Sequence, residues 1–295
     1  MGRATRGEEA AIAKELKEKG YQLKHLLKAL GLPGSAHCFE PSRKDAVSPR
    51  NKGLSNEIKS IFESSKGRYG VRRIHRELVN RGFKANRRRV QRLMHDMGLQ
   101  GKRPKRKCHS HVGTVGKIAD DLINRDFKTD SPFQKWTTDV SQFSFSWVKC
   151  CLSPILDMNT NEIISYDLSL HPNMEQIKRM LDQALERSND LSGLIFHSDQ
   201  GWQCQQKYYR DRLKENGIIQ SMSRKGNCHG SCIMETFLGR MKNEMHCGQE
   251  KDHGSFESFS KAVDEYMYYY NNKRIQSKTK WMPPIVYRET SMCLD

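Results

Sequence analysis

The chain has no apolar stretch long enough to cross a bilayer, which argues against a membrane-spanning helix. Its nine cysteines are odd in number, follow no secretory leader and keep no framework spacing, so a disulfide scaffold is excluded and a reducing cytoplasm is expected. Cys108, His109 and His111 gather in sequence, as do Cys228, His229 and Cys232, but neither group has the paired spacing of a structural zinc site. They read as incidental thiols and imidazoles. No internal repeat is evident. Acid is scarce in one region: residues 51–110 hold 4 acidic against 18 basic side chains, whereas residues 131–295 hold 20 of each.

The formal net charge of +17 is therefore concentrated, and the chain is electrically two modules. A basic segment of that density neutralises phosphates and releases their counterions, which favours nucleic acid as partner over a membrane surface or an acidic protein. With 295 residues, 36% of them apolar, the chain can bury one large domain and a smaller companion. Residues 1–50 read as a short helical pair, carried by Ile12, Leu16, Leu23, Leu26, Leu27 and Leu30, and a linker over 35–53.

Three helical stripes follow: Ile58, Ile61 and Phe62; then Val71, Ile74, Leu78 and Val79; then Val90, Leu93, Met94 and Met97. Short glycine-bearing turns separate them, which suggests a helix-turn-helix unit over residues 51–110. Arg87, Arg88, Arg89 and Arg92 sit on its third helix, where they can enter a groove or grip phosphates. Lys102, Arg103, Lys105, Arg106 and Lys107 flank Pro104 and read as an extended phosphate-contacting arm.

Beyond residue 130 the texture turns to strands, at Lys135–Phe145, Trp147–Leu156 and Ile163–Leu170, in an expected meander. A helix over 174–188, a strand ending in His197, Ser198 and Asp199, a helix near 205–215, a strand at Ile218 and Ile219, and helices near 233–246 and 256–270 make the fold class α/β. Asp139 lies inside an apolar strand between Trp136 and Phe143. A carboxylate there is costly unless it is paired, hydrogen-bonded or metal-bound.

Lys135–Val140 (KWTTDV), His197–Gln203 (HSDQGWQ), Ser221–Cys228 (SMSRKGNC) and Met234–Phe237 (METF) resemble the second-reading-frame transposases of bacterial insertion sequences, whose catalytic domain is similar to retroviral integrase. The 35 residues between Asp199 and Glu235 agree with that family's acidic triad. Gly67–Ile74, Arg89–Met94 and Tyr270–Arg274 extend the likeness. It implies a ribonuclease-H-like catalytic core over residues 130–290, a mixed five-strand sheet flanked by helices, behind the all-α helix-turn-helix region.

The resemblance makes Asp139, Asp199 and Glu235 the catalytic metal ligands. Two Mg²⁺ ions are expected, with Mn²⁺ able to substitute, because hard cations prefer oxygen donors. Lys242 falls seven residues after Glu235, two turns along the same helix face, where the family carries a basic residue. Arg72, Arg73, Arg224 and Lys225 complete the expected DNA contacts, and Trp202 is placed either to stack on a base or to pack. Gly230 and Ser231 depart from the Asp and Asn usual before the glutamate, and Trp281 and Pro283 from the usual Gly and Ser. The implied partners are insertion-sequence ends, target DNA, an upstream-frame protein or fusion, and further copies of the chain on DNA. Two alternatives stand beside strand transfer: a catalytically inactive, decayed transposase that only binds DNA, and a nuclease that cuts without joining.

Overall fold

The structure is a computed structural model that describes residues 6–33, 49–101, 119–124, 126–187, 190–223, 232–246 and 253–293. Helices α1 (Arg6–Glu18) and α2 (Leu23–Leu30) form the expected pair. Then come α3 (Pro49–Ser64), α4 (Val71–Asn80) and α5 (Arg87–Asp96). The first of these three starts inside the expected linker, at Pro49, because a proline's fixed φ suits a first helical turn. Asn86 caps α5, its Oδ1 accepting the Arg88 N–H at 2.8 Å. The three helices close on Leu54, Ile58, Ile61, Ile74, Leu78, Val90, Leu93 and Met94, so the helix-turn-helix region has a core of its own.

The larger unit is built on strands β1 (Lys135–Thr138), β2 (Ser141–Ser144), β3 (Lys149–Asp157), β4 (Ile163–Ser169), β5 (Ile195–Ser198) and β6 (Ile219–Met222). β1 and β2 both pair antiparallel with β3 in one unbroken register, Thr138 opposite Ile155 and Ser141 opposite Leu152. They are one ribbon interrupted at Asp139 and Val140. The sheet thus has five ribbons, in the order β4, β3, β1/β2, β5, β6, with β5 and β6 parallel to β1. This is the mixed sheet of the expected ribonuclease-H-like core, and β1/β2, β3 and β4 form the expected meander.

Pro154 explains the interruption. The Met158 N–H donates to the Lys135 carbonyl, and two-residue alternation along the ladder makes Asp139 opposite Pro154 another hydrogen-bonded position. Proline has no N–H to give there, so the ladder lapses at Asp139.

Both faces of the sheet are covered. Helices α6 (Met174–Leu185) and α7 (Lys207–Glu215) pack Ile177, Met180, Leu181, Tyr209 and Leu213 against Trp136, Ile155 and Phe196. On the other face α8 (Cys232–Met245) and α9 (Phe256–Asn272) bury Met234, Phe237, Met241, Phe259, Val263 and Tyr266 against Phe143, Leu152 and Ile163. A last helix, α10 (Pro284–Met292), is tied back by Arg288, whose Nε reaches the buried Glu162 carboxylate at 2.6 Å. No helix among the described residues is long and apolar enough to cross a membrane.

Among the described residues the helical region and the sheet domain meet at a seam formed by Tyr69 and the segment around Arg274. The Tyr69 hydroxyl donates to the Lys273 carbonyl at 3.2 Å and accepts the Ile275 N–H at 3.1 Å, while Ile275 enters the helical core. Beneath the seam Arg274, fully buried, binds Glu244 of α8 through two hydrogen bonds of 3.1 and 2.7 Å, and Tyr266 donates to the same carboxylate.

Candidate catalytic site

β1 and β5 are adjacent and parallel, with Trp136 opposite Phe196 and Thr137 opposite His197. Two residues further on, Asp139 and Asp199 leave the carboxyl ends of these two strands side by side, the edge at which open α/β sheets carry their sites. Strand alternation puts Asp139 on the same face as Phe143, the face that α8 covers. Thr138 anchors the strand end from the opposite side, its Oγ1 donating to the Pro154 carbonyl at 2.9 Å.

Asp199 is fixed by a tight turn: its Oδ1 accepts the Gly201 N–H at 2.9 Å. A Cβ on Gly201 would lie 2.8 Å from that oxygen and 2.9 Å from Gln203 Oε1, so a side chain there would push the Asp199 carboxylate and the Gln203 amide out of place. The loop is pinned further by Gln200, which donates to the Ser223 carbonyl, and by Gln205, which donates to the Gln200 carbonyl. Beneath it His197 is buried, with Nδ1 2.9 Å from Ser221 Oγ, which also accepts the Leu122 N–H. The His and Ser of the two sequence motifs thus hold β5 to β6, a role that neither motif announced.

Asp139 and Asp199 line one small cavity with Ile177, Met180, Gln203, Cys204 and Tyr209. Burial pushes the half-buried Asp139 carboxyl up to about 7, and the Asp199 charge pushes the same way; the Val140 N–H draws it down, Glu235 raises it and Lys242 lowers it. Burial also pushes the Cys204 thiol up to about 12, so it stays neutral and serves as apolar wall.

Glu235 stands exposed on the first turn of α8, between the buried Met234 and Phe237. Lys242, half-buried two turns along, holds its Nζ 5.2 Å from the centre of the Phe143 ring. Glu235 and Lys242 therefore reach Asp139 electrostatically. Among the described residues no three His, Cys, Asp or Glu side chains lie close enough together to hold a metal ion. None of the three acids is in a salt bridge among those residues. Trp202, at the start of a 3₁₀ turn, is 42% exposed and is thus open to solvent beside Asp199.

Of the expected DNA contacts, Arg72, Arg87, Arg88 and Arg92 are exposed on α4 and α5. Arg73 turns toward the seam and donates through Nε to the Ile275 carbonyl at 3.2 Å. Arg89 reaches Asn51 Oδ1 at 2.6 and 3.0 Å. Lys102, Arg103, Lys105, Arg106, Lys107, Arg224 and Lys225 lie outside the described residues, as do Gly230 and Ser231.

Comparison with known proteins adds three matches to family models: an HTH-like domain over residues 49–107, and two descriptions of an integrase core domain, over residues 129–228 and 235–292. A transposase-like protein of Haemophilus influenzae is 48% identical over 71% of this chain and 96% of its own. The transposase InsK assigned to insertion sequence element IS150 of Escherichia coli K12 is 40% identical over 91% of this chain and 94% of its own. Among solved structures, the HTLV-2 integrase catalytic core domain in complex with magnesium superposes with a TM-score of 0.43 at 15% identity, covering 55% of this chain and 99% of that one.

Proposed function

The chain belongs to the IS3 family of insertion-sequence transposases, with an HTH region and an integrase core, and from that premise we propose that it cleaves DNA at the element's ends and joins the 3′-hydroxyls to target phosphates. The observation that carries this reading is the pair Asp139 and Asp199, side by side at the ends of adjacent parallel strands, with the Asp139 carboxyl raised to about 7 by burial and by its neighbour's charge. Two acids so placed repel each other, and a hard cation relieves that repulsion.

An all-oxygen set of carboxylates fits Mg²⁺ or Mn²⁺, and the neutral Cys204 thiol beside them offers no thiolate. Asp139, Asp199 and Glu235 would hold the ions, two of which, when bound, lower the pKa of the attacking hydroxyl and stabilise the departing oxygen. The rest of the chemistry falls to side chains of the chain itself. Asp199, locked by the Gly201 turn, keeps one orientation. Ile177, Met180 and Cys204 wall the cavity behind the two aspartates and limit water there. Lys242 offers an ammonium to a phosphate beside the acids, and the exposed Trp202 offers a ring to a base. Displacement at phosphorus is in line and needs no covalent bond to protein, so neither Tyr nor Ser acts as nucleophile.

Arg72, Arg87, Arg88 and Arg92 contact the phosphates of DNA lying along the helical region. Cytoplasmic location, an upstream-frame partner and assembly of several copies on DNA belong to the same reading. The test incubates purified protein and Mg²⁺ with a labelled DNA end and plasmid, beside an Asp199→Asn variant. Joined product from the parent alone supports the proposal. Cleavage without joining points to a nuclease, and salt-sensitive binding with no product from either protein points to a decayed DNA binder.

A further inference from the structure

Behind the glutamate helix, on the flank away from Glu235, a cleft of about 230 Å³ opens between α4, α8 and the segment after Arg274. Three cationic side chains line it: Arg73 from the helical region, Arg240 from α8 and Lys278 from the tail. Asn161, Thr236 and Gln276 add neutral polar groups, and among the described residues no acidic side chain lines it. Among the described residues none of the three cations is in a salt bridge. Burial and the nearby Arg274 charge hold Arg73 below its ordinary value against the opposing pull of Glu244, and burial does the same to Lys278 against the pull of Asp157, so both cations gain from an anion in the cleft.

Gln276, 3% exposed, holds the cleft's edge: its side-chain carbonyl accepts from Asn161 Nδ2 at 3.3 Å and its amide meets the Tyr270 hydroxyl. The first residues of α8, Cys232 and Ile233, also line the cleft, and helix-start amides favour an anion.

We propose that this cleft binds a phosphodiester group of the DNA backbone and thereby clamps the helix-turn-helix region to the helix that carries Glu235. The proposal rests on DNA being the substrate. The same phosphate is then held from three elements at once: Arg73 moves with α4, Arg240 with α8, and Lys278 is tied to the sheet through the Met158 carbonyl and Asn161. Occupancy orders the seam when DNA is present, which links end recognition to the position of the glutamate.

The test measures affinity of the full-length protein for a labelled duplex across a salt series, comparing parent, Arg240→Gln and Thr236→Asp. Arg240 and Thr236 are both exposed on α8, so neither change opens a core. Loss of one phosphate contact lowers the slope of log affinity against log salt by about 0.9, which makes the affinity loss roughly threefold larger at 50 mM than at 200 mM salt. Thr236→Asp places a like charge against the phosphate and weakens binding further at low salt. An unchanged slope in Arg240→Gln overturns the clamp, even where Asp199→Asn abolishes joining. A changed slope upholds it, even where the parent joins nothing. Inorganic phosphate is the second probe: a thermal shift lost in Arg240→Gln together with an unchanged duplex slope assigns the cleft to a free small anion and also overturns the proposal.

Discussion

Replacing Asp139 by asparagine should stabilise the metal-free protein, by an amount that depends on pH in a defined way. The carboxyl's ordinary value is 3.8 and its value in the fold is about 7. Between those values the unfolded chain gives up its proton while the folded chain keeps it, so stability falls as pH rises, by about 1.4 kcal/mol per pH unit. The cost is absent below pH ~3.8 and complete above pH ~7. It sums to roughly 4 kcal/mol for a fully desolvated group, and to about half that for a side chain that water partly reaches. The asparagine amide has no proton to lose in this range. Urea unfolding in EDTA should therefore give equal stabilities for parent and Asp139→Asn near pH 4, a widening advantage for the variant up to about pH 7, and a plateau beyond. Added Mg²⁺ at pH ~8 should stabilise the parent and leave the variant unmoved, because a ligand of the native state alone adds stability by mass action. A difference that stays constant from pH 4 to 8, or a variant less stable throughout, refutes the reasoning, since either result makes Asp139 an ordinary structural carboxylate.

Gly201→Ala tests the turn directly: Gly201 has φ −57, so alanine suffers no backbone strain, and the damage falls on the Asp199 oxygen 2.8 Å away. Strand joining should fall at least about tenfold, a barrier increase of roughly 1.4 kcal/mol, with the melting temperature little changed. Arg274→Met should cost about 3–5 kcal/mol in urea unfolding by leaving Glu244 charged and buried, and the double variant with Glu244→Met should regain much of it. Ser221→Ala removes a partner of both His197 and the Leu122 N–H, and thermal unfolding should show a loss of about 1–3 kcal/mol. Tyr69→Phe deletes two hydrogen bonds at the seam and should speed protease cleavage between the helical region and the sheet domain more than it lowers global stability.

The sheet was legible because its strands are rich in β-branched and aromatic residues, and because the turn from Asp199 to Gly201 follows an apolar strand directly. The break at Asp139 was not. Read locally, Lys135–Phe145 is one strand, and the proline that interrupts it lies fifteen residues away on β3, visible only once the register is known. Arg73 and Arg89 show the same limit on the helical side. In sequence they are two more arginines in a basic run, yet their guanidinium groups hydrogen-bond to Ile275 and Asn51, and only the docked tail and the packed α3 reveal that. Periodicity reports which face a helix buries against its own neighbours, and it is silent about a contact two hundred residues away.

The glutamate helix is where these levels meet. Glu244 is nine residues beyond Glu235, about 13 Å along α8 at 1.5 Å per residue. It is fixed by Arg274, whose chain neighbours Lys273 and Ile275 are the residues that Tyr69 holds. A displacement of the helical region must therefore either break the Tyr69 bonds or pull on the segment that carries Arg274. The buried pair is the stronger link, so α8 follows the helical region for as long as the weaker Tyr69 bonds hold. Glu235, proposed above as the third ligand, thus sits on the helix whose far end is anchored to the helical region. On that proposal its position relative to Asp139 and Asp199 depends on the docked seam and not on the sheet alone.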